Sequence, residues 1–155
     1  MLFAQEGAKV ALVGRRVQPL AEVERQIQQT DGIVLSTTDV TQQDDVRRIA
    51  DAVFQQWGRI DVLVNSAGTS AKGNVMETSV EEFDRVMETN VRGTFLTCKY
   101  VIPYMLRQQR GSIINIASVF GMRGVPQRVA YAASKGAVIN MTRAIAKLRS
   151  APTAQ

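Results

Sequence analysis

Short apolar runs alternate with amphipathic stretches along this chain. Lys9 to Gly14 (KVALVG) is a β-branched run with the length of one buried strand. Val17 to Thr30 is polar with Leu20, Val23 and Ile27 at a helical spacing, and Asp31-Gly32 closes it. Ile33 to Leu35 reads as a second short strand. Thr41 opens Thr-Gln-Gln-Asp, which has the form of a capping box. Val46, Ile49, Ala50, Val53, Phe54 and Trp57 then recur at helical spacing until Gly58.

The same rhythm continues. Ile60 to Val64 (IDVLV) predicts a strand that runs into Asn65-Ser66-Ala67-Gly68. Ser79 to Glu82 is a second capping box, opening a long amphipathic stretch to about Gln109, with Pro103 as a candidate kink. Ser112 to Ala117 (SIINIA) predicts another buried strand, and Val129 to Leu148 a final helix. Strands that are apolar throughout and alternate with helices predict an α/β fold: a doubly wound parallel sheet covered on both faces, in one domain spanning residues 1–155. In such sheets ligands bind beyond the carboxyl ends of the strands, where Arg15, Asp39, Asn65 and Ser118 fall.

Composition narrows the chemistry. The chain has no histidine, which removes Ser-His-Asp and Cys-His sites and most zinc sites, so no metal site is expected. A single cysteine, Cys98, excludes an internal disulfide framework and suits a reducing, cytoplasmic setting. No apolar run approaches the ~20 residues of a membrane span, and the opening MLFAQEGAKV does not read as a secretory signal. Charge is unevenly spread: all 14 acidic residues lie at or before Glu88, and 10 of the 19 Lys and Arg lie after it. A basic half attracts phosphate or a partner surface, but no interleaved aromatics or dense basic run favour nucleic acid.

One stretch carries concentrated chemistry, Asn115 to Lys135 (NIASVFGMRGVPQRVAYAASK). Tyr131 and Lys135, four apart, share one helix face. A phenol normally titrates near ~10, and an ammonium beside it favours the phenolate. Ser118 at the end of a strand offers a hydroxyl to an oxygen on which negative charge develops. The trio reads as a proton-transfer site for a carbonyl or alcohol carbon.

With GAKVALVGRR, DVT at 39 to 41, DVLVNSAG, NVRG at 90 to 93, GSIINIAS and YAASKGAV, the chain resembles the short-chain dehydrogenase/reductase family over nearly its whole length. The resemblance implies a Rossmann-like fold and hydride transfer between NADP(H) or NAD(H) and a carbonyl or secondary alcohol. It implies Tyr131 as general acid/base, Lys135 lowering its pKa and holding the nicotinamide ribose, Ser118 orienting the substrate oxygen, and Asn90 holding a water of the proton relay. Asn65, Ala67 and Gly68 match the family's Asn-Asn-Ala-Gly turn on the cofactor side, with Ser66 in place of the second asparagine. Asp39 and Val40 match its adenine contacts. Arg15 and Arg16 follow the first strand where a basic residue favours a ribose 2′-phosphate, so NADP is expected over NAD. The resemblance further implies a small-molecule substrate and a homo-oligomer, dimer or tetramer, in the full-length form.

Two departures accompany the likeness. No Gly-x-x-x-Gly-x-Gly turn precedes the first strand, and Met1 to Gly7 resembles the last turns of the helix that follows that turn in the family. The absent strand would lie mid-sheet and open the core there. Beyond Lys147 the likeness fades, and the later strands and the segment that closes over the substrate are absent. The chain is expected to be the middle of a longer enzyme. The alternative reading is a catalytically inactive fragment that acts at most as an interaction module through its two long helices.

Overall fold

The computed structural model describes residues 2–27 and 33–150. Its strands are β1 (Val10–Gly14), β2 (Ile33–Thr37), β3 (Val62–Asn65) and β4 (Ser112–Asn115). Six helices accompany them: α1 (Leu2–Gln5), α2 (Val17–Gln26), α3 (Gln43–Trp57), α4 (Val80–Met87), α5 (Gly93–Arg107) and α6 (Val129–Ala146). The strands pair in parallel, as the βαβ rhythm predicts. Val10 lies opposite Ile33 and Gly14 opposite Thr37, while Val62 lies opposite Ser112 and Asn65 opposite Asn115.

The helical spacing read in α3 is the spacing of its buried face. Val46, Ala50 and Val53 are buried, and Ile49, Phe54 and Trp57 pack beside them. Val101 and Met105 of α5 meet Ala50 and Val53, and Ala11 of β1, Leu63 of β3 and Ile113 of β4 pack on the same cluster. Burying each large aliphatic side chain there contributes roughly 1.5–3 kcal/mol. Phe54 stacks on Tyr104 with ring centroids 4.3 Å apart.

The parallel α/β arrangement is that of the expected doubly wound sheet, and the described strands form two two-stranded sheets, β1–β2 and β3–β4, with the expected gap in mid-sheet. Both pairs lie under the α3–α5 layer, and no ladder joins β1 to β3 among the described residues. Side chains alternate across a strand, so Leu63 and Ile113 face the core while Val62, Val64, Ile114 and Ile116 face the other way, each 41–46% exposed. A break in mid-sheet is where the family likeness lacks a strand.

Local signals fared unevenly. Gly58 ends α3 in the left-handed region (φ 70°), its N–H donating to the Phe54 carbonyl at 2.7 Å. Ser79 caps α4, its Oγ accepting from Glu82 N at 3.2 Å. The Thr41 box does not form. Asp39 Oδ1 takes both the Thr41 N–H (3.0 Å) and its hydroxyl (2.9 Å), and α3 starts after Gln42 without a side-chain cap. The stretch from Ser79 is also not one regular helix. A π-type turn over Glu88–Arg92 separates α4 from α5, while Pro103 sits inside α5. β2 runs two residues past Leu35, and α6 gives way to a 3₁₀ turn at Lys147–Ser150. The expected end of α2 at Thr30 lies outside the described residues.

Candidate active site

α6 delivers the tyrosine and lysine to one place. Lys135 stacks one turn below Tyr131, its Nζ 5.7 Å from the phenol ring centroid. Its side chain is buried, and Nζ donates to the Ile116 carbonyl at 2.6 Å, just past the end of β4. Burial holds the Lys135 pKa below the ordinary lysine value, because the charged form loses hydration.

The chain leaving β4 lies hard against α6. Ser118 caps a 3₁₀ turn at Val119–Gly121, its Oγ accepting from Phe120 N at 3.2 Å. Phe120 then meets Tyr131 edge to face, centroids 6.2 Å apart. Gly121 allows this approach. A Cβ there would fall 2.5 Å from the Lys135 carbonyl carbon and 2.7 Å from Gly136 N.

Asn90, in the π-type turn, is 1% exposed and ties a second loop to the same helix. Its Oδ1 accepts from Thr69 N (2.7 Å), and its Nδ2 donates to Thr69 O (2.9 Å) and Ser134 Oγ (2.9 Å). Ser134 in turn donates to the Tyr131 carbonyl at 2.8 Å. Asn65 does parallel work deeper in. It donates to Asn115 Oδ1 (2.8 Å) and accepts from Thr97 (2.7 Å), while Asn115 donates to Thr142 of α6 (2.9 Å). These networks fix β3, β4, α5 and α6 relative to one another.

Between the loops opens a cavity of about 490 Å³. Ser66, Gly68, Thr69 and Ser70 line it from the β3 side, Ile116, Ala117 and Phe120 from the β4 side, and Arg128, Tyr131 and Lys135 from α6. Tyr131, Lys135 and Gly68 are thus brought together. Ser118 stands beside the cavity without lining it, and Asn65 and Asn90 stand behind it, their side-chain amides engaged by protein partners. Ala67 is exposed between two lining residues.

The remaining predicted residues gather at the ends of β1 and β2. Arg15 and Arg16 are exposed, with Arg16 at the N-cap of α2. The Thr41 N–H holds the Asp39 carboxyl below its usual range against the opposing effect of burial; the Thr41 hydroxyl and the Arg15 charge add to the lowering. Val40 rests on Gly93, where a Cβ would lie 2.8 Å from Val40 Cγ2. Arg128, Thr69 and Ser134 escaped the sequence reading. The only hint of Arg128 was its spacing of three from Tyr131.

A short chain dehydrogenase family model matches residues 1–151. The chain belongs to the short-chain dehydrogenase family. It is 38% identical over 151 residues to the 3-oxoacyl-[acyl-carrier-protein] reductase FabG of Thermotoga maritima, covering 95% of this chain and 60% of that protein. Among solved structures, NAD⁺-bound xylitol dehydrogenase superposes with a TM-score of 0.87 at 34% identity, over 91% of this chain and 55% of that one. ElxO with NADP bound gives 0.83 at 30%, over 90% of this chain and 57% of that one. The chain therefore spans about 60% of the length of the family members it matches. Those neighbours bind NADP in one case and NAD in the other.

The residues present fit part of a nicotinamide dinucleotide. Gly68 leaves the cavity floor open beside Lys135 Nζ and Asn90 Oδ1, at 3.8 and 3.4 Å from a would-be Cβ. Arg15 and Asp39 mark a second polar corner. Among the described residues, no helix N-terminus after a glycine-rich turn stands between them.

Proposed function

We propose that this chain carries the proton-transfer site of an oxidoreductase acting on a carbonyl or secondary alcohol, with NADP(H) or NAD(H) as the hydride partner. The observation that supports this reading most is the meeting of Tyr131 and the buried Lys135 ammonium in one cavity. In the reduction direction the Tyr131 hydroxyl gives its proton to the substrate oxygen as hydride reaches the carbon, yielding the alcohol; oxidation reverses both transfers. The Lys135 charge stabilises negative charge developing on the phenol oxygen. Ser118, beside Ala117, orients the substrate oxygen after its hydroxyl turns from Phe120 N into the cavity. Asn90 positions the Thr69 turn and α6, and a water held near it returns the proton to Tyr131.

The bound dinucleotide supplies only the hydride. Lys135, Tyr131 and Gly68 would hold its nicotinamide-ribose end, and Asp39 and Val40 its adenine end, with Asn65 and Ala67 setting the turn between. Arg15 and Arg16, both exposed at the β1 end, favour a 2′-phosphate and hence NADP over NAD. In the whole enzyme we place this site in a homo-oligomer acting on a small molecule. Turnover of a panel of ketones with NADPH and NADH, compared between wild type and Tyr131→Phe, tests the reading. A loss of at least ~100-fold is expected for the variant, and equal rates would refute it.

The split sheet favours a second reading, a fragment without catalysis that acts at most through its helices. With β1 and β3 unjoined and Val62, Val64, Ile114 and Ile116 exposed, the floor beneath the cofactor's middle is open. Fluorescence titration with NADPH separates the two. Saturable micromolar binding supports the enzyme, and a flat titration supports the fragment.

A further inference from the structure

The cavity has one cation with no proton-transfer role, Arg128. Its backbone is pinned. Gly73 N donates to the Gln127 carbonyl at 3.0 Å, Val129 N donates to the Gly73 carbonyl at 3.3 Å, and the Arg128 carbonyl accepts from Ala132 N at 2.9 Å. Arg128 thus stands three residues before Tyr131, at the first turn of α6 and on the same side of the cavity. Arg128 precedes the helix with φ −144° and ψ 34°, and its side chain and that of Tyr131 line one cavity of about 490 Å³, within the reach of one small substrate.

The guanidinium is not neutralised. Among the described residues its one side-chain hydrogen bond goes to the neutral Ser70 hydroxyl at 3.0 Å, and it makes no ion pair. Arg85 reaches the same loop from α4, donating to Thr69 Oγ1 (2.6 Å) and the Ser70 carbonyl (3.4 Å), likewise without a carboxylate partner. No acidic residue lines the cavity, and none occurs in the sequence after Glu88. An arginine fork held over a cavity without acids, beside a proton donor, matches the geometry of a carboxylate.

We infer that Arg128 is a specificity-determining residue, and that the substrate is an oxo or hydroxy acid whose carboxylate pairs with it while the reacting oxygen meets Tyr131. This rests on the oxidoreductase reading above. The carboxylate replaces the weak Ser70 contact with a charge-assisted, two-bond pairing. Arg85, anchored on Thr69 and Ser70, keeps the loop in place meanwhile.

A matched pair of ketones, 4-oxopentanoate and its methyl ester, tests the assignment with the 155-residue chain. With NADPH, the acid-to-ester ratio of kcat/KM is expected to exceed ten. It should fall at least tenfold in Arg128→Met and recover in part in Arg128→Lys. A purely structural role would lower both rates and leave the ratio unchanged, which overturns the inference. If neither ketone turns over while other ketones of the panel do, the inference is overturned; if no ketone turns over, the oxidoreductase reading fails and the anion site is decided by NMR. The Arg128 Nε–H resonance, assigned by its loss in Arg128→Lys, should shift saturably with 4-oxopentanoate and not with the ester. No shift, or equal shifts, would overturn the assignment.

Discussion

Gly121 and Gly124, three residues apart in one loop, should respond oppositely to the same added methyl. Replacing glycine by alanine restricts the unfolded chain and stabilises by about 0.4–1 kcal/mol where the native backbone and space allow it. At Gly124 a Cβ meets nothing within 4 Å, so Gly124→Ala should gain about 0.5 kcal/mol. At Gly121 the Cβ would lie 2.5, 2.7 and 2.8 Å from Lys135 C, Gly136 N and Lys135 O. These are helix backbone atoms, which cannot rotate aside as a flexible side chain could. Overpacking of this kind costs about 1–3 kcal/mol, so the net effect of Gly121→Ala is a loss of about 1–2 kcal/mol. At ~2–4 °C per kcal/mol for a chain of this size, Tm should drop by about 2–8 °C. Urea unfolding followed by far-UV circular dichroism, with both variants run beside wild type, reads the difference. Because the loop would be pushed off α6, Gly121→Ala should also disturb the Phe120–Tyr131 edge contact and lower any turnover. Equal stability of the two variants would show that the Ser118 loop does not rest on α6 as described.

Other expectations follow from the same packing. Asn90→Ala strands the half-buried Thr69 N and Thr69 O, and unsatisfied groups cost about 1–3 kcal/mol each. A loss of about 3 kcal/mol in urea unfolding is expected, and a loss under 1 would refute the clamp. Lys135 gives a pH signature. Its folded pKa lies below the ordinary value of ~10.4, so between the two the unfolded chain binds more protons and stability rises with pH. The penalty is fully present below the folded pKa and relieved as pH climbs toward ~10.4. Wild-type stability should therefore gain on Lys135→Met across that alkaline window, and parallel curves would refute the burial argument.

The sequence disclosed elements whose cause is local or periodic. The α3 face from Val46 to Trp57 and the Gly58 stop each follow from a few neighbouring residues and stand as expected, and of the Ser79 box the bond from Glu82 N–H to Ser79 Oγ forms. The Thr41 box failed because a competing acceptor, Asp39, sits two residues upstream and takes the same N–H and hydroxyl. Tyr131 and Lys135 were readable because they share one helix face. Arg128 was not, since its place in the cavity depends on Gly73, 55 positions away in the chain and bonded on both sides of it. The roles of Asn65 and Asn90 as ties between elements were equally hidden. An asparagine carries no mark of whether its amide turns to a ligand or to protein, and only the Thr69, Ser134, Thr97 and Asn115 partners decide it.

Those ties explain how a divided sheet can hold the proposed proton-transfer site together. Every residue lining the cavity comes from the segment after β3, the segment after β4, or the first turns of α6. The bonds that fix these three segments, Asn90 to Thr69 and Ser134, Lys135 to Ile116, and Asn65 to Asn115 and Thr97, run wholly among β3, β4, the segments that follow them, the α4–α5 junction, α5 and α6. None passes through β1 or β2. The β1–β2 pair contributes Ala11 to the shared core and carries Arg15, Asp39 and Val40, the residues assigned to the far end of the dinucleotide. No ladder joins β1 to β3 among the described residues, so the two proposed ends of the dinucleotide site are not aligned by the sheet, while the geometry of Tyr131, Lys135 and Arg128 is set without it. The proposed acid pairing at Arg128 and the proposed dinucleotide site therefore rest on different segments, which is why an acid-dependent shift at Arg128 can be sought even where a dinucleotide titration is flat.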